Sequence, residues 1–180
     1  MAFYLTLILY RWRDVTATSG KRNKLASNWI VVEGPKLSLK IANLVGLISS
    51  NRQQFQKIFQ NAEDYTRAEI AMKVINPFTE HWKMNVLVNS VLDSFEDMDH
   101  VDETLLKATE FFKTCDRLEL DDIYNEKMLV NGKELMSIMN RKPGAWMKKL
   151  NDYLKVWQYN HQGCTKEDML KHIETLKDTF

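Results

Sequence analysis

Glycine and proline are sparse in this chain, six and three among 180 residues. Strand-rich folds rely on such residues to turn the chain. Their shortage argues against a sandwich or barrel of many short strands and favours helices joined by brief turns. Cysteine is scarcer still: Cys115 and Cys164 are too few for a disulfide framework and read as reduced thiols of an intracellular protein. The opening apolar run, MAFYLTLILY at residues 1–10, falls short of the about 20 residues a bilayer span requires. It also lacks the basic start of a secretory signal and reads as a buried helix, with no membrane partner. A buried helix at the very first residue leads us to expect a preceding domain that is missing.

Charge of one sign is almost absent from the total, which is +1, but not from the parts. Residues 1–60 hold nine basic side chains against two acidic ones, and residues 127–180 hold ten against six. Between them, residues 91–126 hold three against twelve. Basic surfaces at both ends are compatible with a nucleic-acid partner on one face.

Several kinds of chemistry have no support. There is no P-loop and no Gly-x-Gly-x-x-Gly. The single Asp-x-Asp, Asp97-Met98-Asp99, sits in an acidic helix start without the strand and the preceding Gly-Ser that two-metal nucleotidyl transfer needs. His161, Cys164 and His172 lack a fourth ligand to complete a metal site. No active site is legible.

What is present is helical periodicity. Apolar residues recur at spacings of three and four almost throughout. Helices are expected at residues 3–14, 25–33, 37–50, 51–61, 65–75, 78–95, 104–117, 133–139, 143–159 and 166–178. Residues 16–24 are expected to form a polar loop. Gly34-Pro35 and Asn76-Pro77 break the pattern, and Thr165 with Asp168 has the form of a capping box. The fold class that follows is all-α, a bundle of about eight to ten helices in two subdomains. These are a body-like one over residues 1–97 and a tail-like one over 98–180.

The stretch VNGKELMSIMNRKPGAWMKKLNDYLKVW, residues 130–157, stands out. Pro143 suits the first turn of a helix, where a missing N–H is no loss. Trp146, Met147, Leu150, Leu154 and Trp157 fall on one face, while Lys148, Lys149, Asp152 and Lys155 lie off it. Arg141 and Lys142 stand just ahead of a helix start whose free N–H groups suit a phosphate.

This stretch resembles the tail of the class II CCA-adding tRNA nucleotidyltransferases of eukaryotic and fungal type. The resemblance is carried by Val130, Gly132, Glu134 and Leu135, then by Pro143-Gly144 and Trp146-Met147. Trp157, Gln158 and residues 165–173 look like the family's final helix pair, and residues 29–48 like a segment of its body. Glu63-Asp64-Tyr65-Thr66-Arg67 spells the family's nucleotide-reading motif but lies after the body-like segment, so it inherits no templating role.

The resemblance implies a tRNA-binding C-terminal part that holds the acceptor arm and elbow. A separate catalytic head domain, missing from this chain, would add CCA with Mg²⁺, CTP and ATP. The chain alone would then be inactive and would need no cofactor, metal or catalytic residue of its own. It would work in the cytoplasm, nucleus or mitochondrion. Lys133, Arg141, Lys142, Lys148 and Lys149 are the expected phosphate contacts, with Lys21, Arg22 and Lys24 as a second patch. The competing expectation is a helical module that binds a protein, marked by an exposed apolar patch rather than a basic stripe.

Overall fold

The computed structural model describes residues 1–9, 15–19, 22–34, 36–177 and 179, with 17–19, 22–25, 28 and 29 described in backbone only. Nine α-helices carry the described architecture: α1 (Ala2–Ile8), α2 (Ala26–Glu33), α3 (Leu39–Gln60), α4 (Arg67–Ile70), α5 (Trp82–Glu96), α6 (Val101–Arg117), α7 (Gly132–Met139), α8 (Ala145–Asn160) and α9 (Lys166–Thr175). The protein is a helical bundle, as the scarcity of turn residues and the 3.6-residue period imply.

One departure is small and local. Residues 16–24, expected as a polar loop, pair as an antiparallel hairpin of β1 (Thr16–Ser19) and β2 (Arg22–Leu25). Thr16 and Thr18 are β-branched and prefer extended backbone. The ladder also satisfies backbone groups that a loop would leave to water, and Ala26 N–H continues it onto the Val15 carbonyl at 2.7 Å.

A second departure joins two expected helices. Residues 37–50 and 51–61 form the single helix α3, started by Ser38, whose Oγ accepts from the Ile41 N–H. Ser49 and Ser50 turn their hydroxyls back onto the carbonyls of Val45 and Leu47 instead of breaking the helix. Asn51 donates to the Lys73 carbonyl. Buried Arg52 reaches Asp93 on α5 at 2.5 Å and Glu96 at 2.9 Å. The expected helix at 65–75 is likewise altered: α4 gives way to a π-helical turn, Ala71–Ile75, closed by Asn76 N–H on the Ala71 carbonyl. Of the helix expected at residues 3–14, positions 10–14 lie outside the described residues.

Three apolar clusters hold the bundle. Ala2, Val31, Ala42 and Val45 join α1, α2 and the first half of α3. The central core runs from Ile48 to Ile123 and takes in Tyr159 from α8. There α6 packs Phe111 against Phe55 and Phe59 of α3, with ring centroids 6.2 and 5.8 Å apart, and Phe112 against Trp82 of α5 at 5.9 Å. The third cluster begins at Val130 and unites α7, α8 and α9 through Leu135, Met139, Leu150, Leu154, Met169 and Ile173. Each such buried aliphatic side chain contributes about 1.5–3 kcal/mol. Helix α8 therefore belongs to two cores, the third cluster by Leu150 and Leu154 and the central one by Tyr159.

Candidate nucleic-acid interface

Helices α7 and α8 and their connection are built so that their basic residues sit on fixed backbone. Asn131 starts α7: its Oδ1 accepts from the N–H groups of Lys133 at 3.0 Å and Glu134 at 3.1 Å, and Glu134 accepts from the Asn131 N–H at 2.9 Å. That reciprocal box is a strong local start signal. Glu134 also bonds Lys166 of α9. Lys166 and the Asn131 N–H together hold its carboxyl below the usual carboxylate range. Exposed Lys133 thus occupies a turn fastened at two points.

Helix α7 ends at Asn140, which adopts the left-handed conformation at φ 48°. Arg141 N–H then donates to the Met136 carbonyl at 3.2 Å, a helix-ending bond that reverses the chain. Four residues later α8 begins after Gly144, and no side chain caps it. Trp146 reaches back from its first turn, donating Nε1–H to the Lys142 carbonyl at 2.9 Å. Arg141 and Lys142 are exposed on this doubly pinned connection. They lie ahead of a helix start, but Pro143, expected in its first turn, stands in the bend before Gly144 and outside the helix.

Along α8, Leu150 and Leu154 are buried and Trp146, Met147 and Trp157 half-buried, whereas Lys148 and Lys149 are exposed. Lys149 lines a cleft of about 420 Å³ with Ala145, Trp146 and Thr179. Arg141, Lys142, Lys148 and Lys149 therefore cluster about the start of one helix. Lys133 lies at the opposite end of α7, a helix of eight residues and roughly 12 Å. A Cβ on Gly132 would stand 3.2 Å from Met147 Cε, so the start of α7 abuts the first turn of α8. Among the described residues, no ion pair neutralises Lys133, Lys142, Lys148 or Lys149. In the expected second patch, Arg22 and Lys24 lie on β2 opposite Ser19 and Ala17, and Lys21 lies outside the described residues.

Other features of the sequence have structural explanations. Trp157 stacks on His161 at 4.3 Å and on His172 at 4.7 Å, so these imidazoles serve as packing partners of an indole. Burial, then the neighbouring His161, lowers the His172 pKa. Asp97 bonds His100 at 2.9 Å at the head of a 3-10 turn, and among the described residues no strand pairs beside Asp97-Met98-Asp99. Among the described residues no three His, Cys, Asp or Glu side chains converge to hold a metal ion.

Sequence reasoning missed the joint that fixes the end of α8 to α4 and the end of α6. Arg67 donates to the carbonyls of Tyr159 at 2.7 Å, Leu118 at 2.8 Å and Glu119 at 3.3 Å. Asn160 accepts from the Ala68 N–H at 3.0 Å, and the Tyr159 hydroxyl donates to the Ile123 carbonyl at 3.2 Å. No local pattern announces contacts between residues 92 positions apart.

Comparison with known proteins bears on what this surface serves. The chain is 25% identical to the mitochondrial CCA tRNA nucleotidyltransferase of Candida glabrata, over 99% of its own length and 35% of that protein. It is 25% identical to the Saccharomyces cerevisiae counterpart over 97% of its length and 34% of that protein. Over nearly its whole length the chain is similar to the fungal CCA tRNA nucleotidyltransferases. A 58-residue segment is also 34% identical to the tRNA nucleotidyltransferase cca2 of Schizosaccharomyces pombe, covering 32% of the chain and 12% of that protein. The chain spans about a third of the length of the first two relatives. No protein-family model matches, and no solved structure matches. Among the described residues no helix is long and apolar enough to cross a membrane.

Proposed function

We propose that this chain is a tRNA-binding part of a CCA-adding enzyme, gripping the acceptor arm and elbow while a catalytic domain extends the 3′ end. The observation that carries the reading is the group of exposed cations around the start of α8, held on backbone that α7, Trp146 and the Arg67 joint make rigid. A-form RNA offers proteins its phosphates, 2′-hydroxyls and overall shape more than readable base edges. A rigid frame with cations at set positions can therefore measure the distance from elbow to 3′ end without reading sequence. Lys133, Arg141, Lys142, Lys148 and Lys149 are the proposed phosphate contacts, and Arg22 and Lys24 of the hairpin a second set.

Nucleotidyl transfer, with its Mg²⁺, CTP and ATP, is assigned to the catalytic domain. The names of the two long-matching relatives support a mitochondrial site of action. The decisive test changes Arg141, Lys142 and Lys148 to Ala together and measures tRNA binding by filter retention across a salt series. Affinity falls, and the slope of log K against log salt flattens by about two to three, because each lost phosphate contact removes about 0.7–0.9. Unchanged binding and slope would remove these residues from the interface.

A second reading has an observation of its own. Helix α5 exposes an apolar stripe, the mark of a protein-binding surface. It lies on a different helix from the cations of α7 and α8, so one chain can serve both partners.

A further inference from the structure

Beside the cations of α8 lies a mostly apolar cleft of about 420 Å³, lined by Ala145, Trp146, Lys149 and Thr179. Its size falls within the roughly 300–1,000 Å³ of ligand-binding clefts. Phosphate contacts alone give it no role. Trp146 is half-buried: it packs against the third apolar cluster and also forms a wall of the cleft. The indole is fixed at its edge, since its Nε1–H donates to the Lys142 carbonyl at 2.9 Å. A Cβ on Gly144 would stand 3.2 Å from Trp146 Cδ1, so the bend before α8 fits closely against the ring. Thr179 completes the lining from the turn after α9, where its N–H donates to the Leu176 carbonyl at 2.9 Å. The aromatic wall is therefore held in place by the chain itself.

Charge is distributed around this wall with one sign. Lys149 lines the cleft, and Lys142 sits on the backbone that the indole grips. Both are exposed, and among the described residues neither forms an ion pair. No carboxylate lines the cleft. Asp152, one turn further along α8, pairs with neither Lys148 nor Lys149.

A fixed aromatic wall bordered by unpaired cations suits a base that carries its phosphates with it. Every base has a π-face, so stacking of this kind tolerates any sequence while lysines follow the backbone. Inside a duplex the bases are stacked on one another, and only an unpaired one can enter. We infer that the cleft beside Trp146 receives an unpaired base of the RNA, stacked on the indole, with Lys142 and Lys149 on the flanking phosphates. This rests on the reading of the chain as a tRNA-binding part of a CCA-adding enzyme and sharpens it. The start of α8 meets a loop of the tRNA, not a continuous duplex.

The test compares a whole tRNA transcript with a blunt, fully paired RNA duplex. Filter binding is measured for the 180-residue chain and its variants Trp146→Leu and Trp146→Phe, well below the melting temperature of each. Leucine keeps an apolar contact with the core but offers no face for stacking, whereas phenylalanine keeps one. Trp146→Leu should bind tRNA about fivefold or more weakly and the duplex unchanged, and Trp146→Phe should recover most of the loss. A second measurement needs only the native chain, so it stands even where a variant fails to fold. Dimethyl sulfate and a carbodiimide together modify the pairing edges of all four bases when these are unpaired. Applied to the tRNA with and without the chain, they should find an unpaired base that the chain shields. Absence of any shielded unpaired base, equal losses on tRNA and duplex in Trp146→Leu, or no loss on either would each overturn the assignment. Where the native chain still binds tRNA in those cases, the parent reading survives; a native chain that binds neither RNA removes both.

Discussion

The guanidinium of Arg67 donates to the backbone carbonyl of Tyr159 at 2.7 Å, across 92 positions of sequence. Two further bonds from the same group, to Leu118 and Glu119, make Arg67 the knot between α4, the end of α6 and the end of α8. The residue that spells part of a nucleotide-reading motif is thus occupied by carbonyl oxygens of its own chain. Replacing it with Ala is expected to cost about 2–4 kcal/mol, since bonds to charged donors contribute about 1.5–3 kcal/mol each and water can reach some of the freed carbonyls. Thermal unfolding would report this as a fall of roughly 5–12 °C for a chain of this size. A melting point within a degree of the native one would show that the joint bears no stress.

Arg52 offers a contrasting case. It is buried, and it faces both Asp93 and Glu96 on α5. Arg52→Leu removes the cation but leaves both carboxylates; a fully buried pair broken in this one-sided way costs about 3–5 kcal/mol, and because Asp93 and Glu96 are partly open to water the loss here should be about 1–3 kcal/mol. Chemical denaturation should show the loss. Adding Asp93→Asn and Glu96→Gln should restore part of it, and no recovery in the triple variant would mean that packing rather than charge dominates.

For Trp157 the expected cost is smaller than its size suggests. A fully buried tryptophan replaced by alanine loses about 3–5 kcal/mol, and this half-buried one, stacked on His161 and His172, should lose about 2–3 kcal/mol. RNA affinity at temperatures well below melting should stay unchanged. Normal melting with weakened RNA binding would instead make Trp157 a stacking platform for a base.

The thiols should react in two stages. Burial pushes the Cys115 thiol up to about 12, and Cys115 lies within the central core. Cys164 is half-buried and its thiol is raised less, mainly by burial. A thiol reagent at neutral pH should label Cys164 alone in the folded protein and both in denaturant. Equal rates for both would mean that the core around Phe111 opens on the timescale of labelling.

Acid should loosen the starts of α7 and α9 before the cores. Lys166 and the Asn131 N–H lower the Glu134 carboxyl; the Thr165 hydroxyl and N–H lower that of Asp168. A carboxylate whose folded pKa is depressed stabilises the fold fully above the ordinary carboxylate range. That contribution fades as pH falls through the lowered values. Glu134→Gln keeps a capping-box partner but removes its titration, so its melting-against-pH curve should be shallower on the acid side. An identical curve would place the acid sensitivity elsewhere.

Sequence and structure agree where the governing interactions are local. The Thr165–Asp168 box, the stop after Glu33 and the inward row of Trp146, Leu150 and Leu154 involve residues within a few turns of each other, which periodicity and capping rules detect. The continuity of α3 was hidden because Ser49 and Ser50 have poor helix propensity, and only their back-bonds and the buried Arg52 show why the helix runs on. The hairpin was hidden because a ladder of four residues a side leaves too short an alternation to read. The cations around α8 could be placed in advance from its apolar face, although the helix starts at Ala145, two residues after the expected Pro143. The Arg67 joint that gives them a rigid base could not.

Gln158 completes that joint from the other side. Its amide donates to Glu126 at 2.7 Å and to the Lys127 carbonyl at 3.0 Å, and accepts from the Leu129 N–H at 3.2 Å. With Tyr159 and Asn160 beside it, the last turn of α8 is clamped by two different segments. The front of the same helix lies roughly 24 Å away. Helix α8 is therefore a lever with its fulcrum at the back: a load hung on Arg141, Lys142 or Lys148 is felt as torque at Gln158, and a slight tilt there would sweep the front by several times that distance.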